Sequence, residues 1–337
     1  MNVSLIAIDL AKSTFQVCGV NRQGKEVFNR PVSRKKLSAL IAQHPGIPVA
    51  MEACGGSNYW GRVFQQSGHE VLLIPPPHVK PFVKGNKNDR NDAFAISEAA
   101  RRPNLRPVQP RSLEQTDTAM AHRILDRRVC ARTALANQVR GLLNEYGIVL
   151  PKGIGVLRKV LPRLLEDAEN GLTPPARHYL HSLQEELRGL DEAIRELERS
   201  ITQAARQLPA ARRLTSVHGV GPKIATAAYA KLGRGDQYRS GRHFSACLGL
   251  VPKEYSSGGQ QQLGGITKRG SGYLRRLLVQ GAWSVLNSAQ GRQDRLSRWA
   301  LEVMARRGKH KAVIAVANKL ARILWAMSRH ETVYRPA

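Results

Sequence analysis

Apolar residues in the first hundred positions fall in short runs closed by turn residues. Leu5, Ile6, Ala7 and Ile8 form one run that ends on Asp9, the pattern of a buried strand. Phe15, Val17 and Val20 predict a second strand, residues 21–24 a hairpin turn, and Val27 and Phe28 the start of a third strand. Leu37, Leu40 and Ile41 have helical spacing. Pro48 to Met51 return as a strand that delivers Glu52 at its end, and Gly55 and Gly56 precede a helix near residues 59–67. A strand over 71–74 is closed by three prolines, and Asp89 opens the next helix. The order strand, strand, strand, helix, strand, helix, strand, helix predicts a mixed α/β domain.

Beyond Pro110 the period becomes helical. Ser112 and Gln115 have the spacing of a capping box, and a long helix is expected to run to about Tyr146. Residues 148–155 read as a connector and 156–165 as a short basic helix in which Pro162 is a potential break. After Pro174 and Pro175, apolar residues at Leu180, Leu183, Leu187, Leu190, Ile194, Leu197, Ile201, Ala204 and Leu208 step by three and four, a heptad seam. Such a seam packs either on the preceding helix as a hairpin or on another subunit as a coiled coil. Pro209 ends it. His218-Gly219-Val220-Gly221-Pro222-Lys223, followed by an alanine-rich run, has the pattern of a helix-hairpin-helix, with a plain helix–turn–helix as the simpler reading. Residues 255–276 hold six glycines and no acid, which by composition alone favours a flexible linker. A helix from about Tyr273 and two more after Arg292 complete the chain. These breaks divide it into 1–150, an α/β domain extended by the long helix; 151–208, a helical coiled-coil segment; and 209–337, a mainly helical C-terminal domain.

Charge narrows the function classes. Among 337 residues, 53 Lys and Arg face 25 Asp and Glu, a formal net charge of +28. The cations are spread along the whole length, the footprint of a nucleic-acid binder. No apolar run reaches the roughly 18 residues a membrane span needs, and no signal-peptide pattern opens the chain. A cytoplasmic protein without a membrane partner is expected. Cys18, Cys54, Cys130 and Cys247 are far apart, which suits a reducing compartment and argues against a zinc ribbon or disulfide framework. Aromatic residues make up only 5% of the chain, too few for a stacked-base recognition sheet. The long helix carries Arg123, Arg127, Arg128 and Arg132 with few acids beside them, a backbone contact or a solvated face. Glycines at 219 and 221 with Lys223 suit a phosphate at a helix start, and Lys268, Arg269 and Arg275 add cations before and within the next helix.

Against this basic background four acids stand out. Asp89 and Asp92 are three residues apart, one turn on the same helix face, among Lys84, Lys87, Arg90, Arg101 and Arg102. Alone they read as first-turn acids that suit the helix dipole. Asp9 and Glu52 end strands, where α/β folds place ligands. Four carboxylates so placed fit two magnesium ions, which clamp the attacking and leaving oxygens of a phosphodiester.

AIDLAK around Asp9, MEACGGSNYW around Glu52 and NKNDRNDAFAI around Asp89 and Asp92 resemble the DEDD-type transposases of a bacterial insertion-sequence family. GLVPKEYSSGG and GGITKRGSGYLRR are similar to that family's C-terminal domain. The resemblance implies an RNase H-like (RuvC-like) N-terminal fold, a metal-binding tetrad of Asp9, Glu52, Asp89 and Asp92, and a nucleophilic serine directly before a glycine. That serine is Ser257 by the family pattern, with Ser256 the alternative. It further implies DNA substrates, a structured bridge RNA, a homo-oligomer, and a composite centre fed by different subunits. No His–Asp pair lies near the serine in sequence to activate it, in keeping with such a centre. The expected activity is DNA cutting and rejoining. Its rivals are a hydrolytic Holliday-junction-type nuclease and a non-catalytic RNA- or DNA-binding protein.

Overall fold

The computed structural model describes residues 2–86 and 88–336, which leaves Lys87 of the basic flank outside the described residues. The chain forms two compact units: 1–116 with 233–243, and 117–232 with 244–337.

The first unit is built on a five-stranded sheet. Its elements are β1 (Leu5–Asp9), β2 (Thr14–Val20), β3 (Glu26–Ser33), α1 (Arg34–Ala42), β4 (Val49–Glu52), α2 (Ser57–Gln66), β5 (Val71–Ile74), α3 (Pro76–Val79) and α4 (Asp89–Ala100). The strand order is β3-β2-β1-β4-β5; β2 runs antiparallel to both neighbours, while β1, β4 and β5 are parallel. The mixed α/β order expected from the apolar runs is present. The three prolines after β5 do more than end it: Pro76 sits at the first position of α3, where its missing N–H costs nothing.

Alternation divides the sheet's two faces. Ile6, Ile8, Val49, Met51 and Leu73 pack with Leu37, Leu40 and Ile41 of α1 and Trp60 and Phe64 of α2. Leu5, Ala7, Cys18, Ala50 and Ile74 pack with Ala93, Ala95, Ile96 and Ala99 of α4. Small residues on both sides let α4 lie close to the central strands.

The second unit is helical apart from one hairpin. It contains α5 (Leu113–Asn144, beginning in the first unit), α6 (Ile154–Glu166), α7 (Pro174–Gln207), α8 (Pro209–Leu214), α9 (Pro222–Leu232), α10 (Gly241–Cys247, shared with the first unit), β6 (Pro252–Glu254), β7 (Leu263–Ile266), α11 (Gly272–Ser288), α12 (Arg295–Arg307) and α13 (Lys309–His330). Pro162 lies inside α6 without ending it. The seam residues Leu180, Leu187, Ile194 and Ile201 of α7 are buried against Leu125, Leu135, Val139 and Leu143 of α5 and Leu157 and Leu161 of α6. The seam is therefore filled from within the unit. Asp191 of α7 fixes its register by accepting from Arg132 at 3.0 Å and from Arg158 at 2.6 Å. Burial disfavours the Asp191 carboxylate, but these two guanidinium partners outweigh it and hold its pKa below the ordinary value.

A second polar knot ties α5 to α9 and α11. His122 is buried, with Nδ1 2.8 Å from the Tyr273 hydroxyl and Nε2 2.9 Å from Thr226 Oγ1. Thr226 donates its own proton to the Pro222 carbonyl at 2.7 Å, so it accepts from His122 Nε2–H, and Tyr273 donates to Nδ1. Burial, then the charge of Lys223, lowers the His122 pKa to about 4; burial, then Asp126, raises that of Tyr273 to about 12.

The glycine-rich stretch predicted as a linker is ordered as the β6–β7 hairpin. Tyr255 N–H donates to the Gln262 carbonyl at 3.0 Å and Gln260 N–H to the Ser257 carbonyl at 3.0 Å. Gly258 and Gly259, with φ of 57° and 78°, supply the two left-handed residues that a tight type I′ hairpin turn requires. Composition reads as flexibility here because the same glycines serve either end.

Candidate active site

Asp9 and Glu52 are the last residues of adjacent parallel strands, one step beyond the paired residues Ile8 and Met51. Strand alternation puts them on the face of Ala7 and Ala50, the face that α4 covers. Both are half-buried. Their closeness shows independently at Cys54: burial, then the charge of Glu52, then that of Asp9, raises its thiol pKa.

Asp89 and Asp92 occupy the first turn of α4. Asn88 caps that helix by accepting from Asn91 N–H at 2.8 Å, so neither acid serves as the cap. Asp89 is exposed and Asp92 half-buried. The helix start is held to the sheet edge by Arg90, which pairs with Glu26 at 2.5 Å, and by Asn29, which donates to the Arg90 carbonyl at 3.1 Å. Two of the four acids are thus side by side, and the other two lie on the helix over the same face. Among the described residues no group of three or more His, Cys, Asp or Glu is drawn together as a metal cluster. The donors are nonetheless all carboxylate oxygens, which suit a hard divalent cation.

Ser257 is exposed at the first position of the hairpin turn, and among the described residues its hydroxyl has no hydrogen-bond partner. Ser256 differs: it donates to Glu254 Oε1 at 2.8 Å and accepts from Gln262 N–H at 3.2 Å. One serine hydroxyl braces the hairpin and the other is presented.

The basic candidates separate in the same way. Arg123 and Arg127 are exposed one turn apart on α5. Arg128 donates to the Ala193 carbonyl at 3.0 Å, and Arg132 is held by Asp191. Gly219, with φ of 82°, faces Gly281 and Val285 of α11, whereas Gly221 is exposed before α9. Lys223 pairs with Glu198 of α7 at 2.5 Å. Lys268 and Arg269 are exposed, and Lys268 adopts a positive φ of 55°. Arg275 donates to the carbonyls of Leu248 at 2.8 Å and Arg269 at 2.9 Å, which clamps the foot of the hairpin. Sequence reading missed His122 and the pairing of Lys223, because their partners lie 25 to 151 residues away.

All four cysteines are free, and among the described residues no helix is long and apolar enough to cross a membrane.

Two family models match the chain: a transposase model of the IS110 DEDD type over residues 6–148, and the transposase model of the IS116/IS110/IS902 family over residues 211–297. A probable family 20 transposase of Pseudomonas aeruginosa is 44% identical over 337 residues, covering 100% of both chains. The transposase for insertion sequence element IS1111A of Coxiella burnetii is 41% identical, covering 99% of this chain and 92% of that one. The transposase for insertion sequence element IS1328 of Yersinia enterocolitica is 39% identical, covering 99% of each.

Proposed function

The chain belongs to the IS116/IS110/IS902 transposase family, and from that premise we propose that it cuts and rejoins DNA through a serine nucleophile served by an acidic metal site. The observation that carries this reading is the contrast at the hairpin: Ser257 is exposed on a tight turn with its hydroxyl unengaged, while Ser256 is tied down.

Asp9, Glu52, Asp89 and Asp92 are the residues that would hold the metal, a divalent ion such as Mg²⁺ and by the number of carboxylates two of them. When bound, the metal supplies positive charge against the developing charge on the phosphate. The chain's own residues do the rest. The sheet order β3-β2-β1-β4-β5 with β2 antiparallel supports an RNase H-like domain that sets Asp9 beside Glu52. Ser257 Oγ loses its proton and attacks phosphorus, a phosphoserine ester forms, and the displaced strand oxygen leaves and takes up a proton. The ester conserves the phosphodiester bond's energy, so a hydroxyl of a second strand can displace Ser257 and restore the free serine. Acids of one subunit and the serine of another would make the composite centre of a homo-oligomer.

Arg123, Arg127, Lys268 and Arg269, together with the exposed amide end at Gly221, are the surfaces we assign to DNA and to a structured bridge RNA. Arg128, Arg132, Lys223 and Arg275 make internal contacts and are assigned to support. The α7 seam is read as an intramolecular hairpin, and α8 with α9 as a helix-hairpin-helix.

The test is a recombination assay on the element's own ends, with and without its flanking noncoding RNA. Wild type yields joined products and a protein–DNA adduct that survives denaturation. Ser257→Ala loses both by at least about a hundredfold, the scale of removing a nucleophile. Ser256→Ala retains the adduct. Asp9→Asn and Glu52→Gln lose the chemistry and keep binding. Cleavage without an adduct, unaffected by Ser257→Ala, would establish the hydrolytic junction nuclease instead.

A further inference from the structure

A concave surface in the first unit has not entered the mechanism. It encloses about 740 Å³ and is lined by Pro77 and His78 of α3, Pro81 and Phe82 just after it, Arg102, Asn104, Leu105 and Arg106 after α4, and Arg239 and His243 from the 233–243 segment. Its volume is within the roughly 300–1,000 Å³ of pockets that enclose small organic groups.

The lining has two chemistries and lacks a third. Phe82 with Pro77, Pro81 and Leu105 provides an apolar plate, and the Arg102 guanidinium lies 5.0 Å from the centre of the Phe82 ring. Arg106 and Arg239 provide cationic heads, and neither forms an ion pair among the described residues. No acid is among the lining residues. Arg102 does pair with Glu98 on its own helix at 2.9 Å, so the uncompensated charge belongs to Arg106 and Arg239. His243 reports the same crowding. Its pKa is lowered by burial first and then by the charges of Arg106, Arg239 and His78. His243 Nδ1 accepts from Arg239 N–H at 3.3 Å, which leaves Nε2–H as a donor. Cations held together without acids, beside an aromatic face, match the two surfaces of an unpaired nucleotide: its phosphate and its base.

We propose that this cleft binds a single-stranded segment of nucleic acid, with a base against Phe82 and the adjoining phosphates on Arg106 and Arg239. A duplex hides its base faces and would use only the cations. The cleft begins at Pro77, three residues after β5 ends at Ile74, which pairs with Glu52. The inference deepens the nucleic-acid reading above. Its readout is binding, so it can fail while strand transfer stands, and hold where the serine chemistry fails.

The experiment measures binding of the full chain to labelled 12-nucleotide single-stranded RNA, single-stranded DNA and duplex DNA across a salt series. The variants are Arg106→Gln with Arg239→Gln, and Phe82→Ala. The charge control is Lys35→Gln with Lys36→Gln, two exposed lysines of α1. Single strands lose about 0.7 in salt slope per phosphate contact removed. The cleft pair should therefore flatten the single-strand slope by about 1.4 and weaken binding at least tenfold, with the lysine pair changing it less than twofold. Phe82→Ala should weaken single strands and spare duplex. A 5-bromouracil strand should photocrosslink to the peptide that carries Phe82. RNA and DNA arms that differ identify which strand the cleft takes; equal arms mean that it reads phosphate and base without the sugar. Equal losses in the lysine control, equal losses for duplex and single strand, or a crosslink confined to other peptides would overturn the proposal. Circular dichroism with an unchanged melting curve for each variant excludes misfolding as the cause.

Discussion

His122 shows how one buried side chain couples the second unit to pH. Burial, then the charge of Lys223, penalises the charged form and lowers its pKa from the ordinary 6.5 to about 4 in the fold. Between those values the unfolded chain holds a proton that the folded chain does not. Stability from this group is complete above pH 6.5, falls as pH drops toward 4, and changes no further below that. Denaturant midpoints measured at pH 7.5, 5.5 and 4.5 should decline in that order, and His122→Gln should flatten the decline. An unchanged slope in that variant would assign the acid sensitivity to other groups. The two serines carry the same kind of lesson. Both stand before the same glycines in sequence, and the hydrogen bonds of Ser256 to Glu254 and Gln262 are what distinguish the two side chains.

At the scale of elements, the α8–α9 turn has two glycines with different duties. A Cβ on Gly219 would meet Val285 Cγ2 at 2.5 Å and the Gly281 carbonyl oxygen at 2.6 Å, and its φ is already left-handed; a Cβ on Gly221 would meet nothing within 4 Å. Gly219→Ala should cost about 2–4 kcal/mol, from overpacking plus backbone strain, read as a fall in melting temperature. Gly221→Ala should leave that temperature within about a degree and change only nucleic-acid affinity. A Gly219→Ala protein of full stability but weak binding would move that glycine to the phosphate contact instead. The sheet was readable beforehand because period-2 alternation and turn residues are local signals, and the strand-end positions of Asp9 and Glu52 were readable because each closes an apolar run. The heptad seam was equally plain, but its partner was not, since an apolar stripe does not say what covers it. The β6–β7 hairpin was invisible to composition, as its order comes from backbone hydrogen bonds and left-handed glycines that a linker also contains. The cleft escaped because its lining comes from three separated segments.

Across the whole molecule, a formal charge of +28 makes binding to any nucleic acid steeply dependent on salt. With six to ten phosphate contacts, affinity for a mixed-sequence duplex should fall by about 10³–10⁵ between 50 and 200 mM salt, as measured by filter binding; a flat response would mean that the charge is largely turned away from the ligand. The internal pairs Arg132–Asp191, Lys223–Glu198 and Arg276–Asp126 use only part of that charge. The hairpin has a further consequence at this scale. Its strands are largely exposed, while its foot is locked where Arg275 grips two carbonyls and Gly249 and Gly270 cross the backbone closely. A DNA end esterified to Ser257 would thus ride on a short, firmly hinged arm rather than sink into the body of the enzyme. On the proposed mechanism, that end would be handed to a new partner from this exposed hairpin.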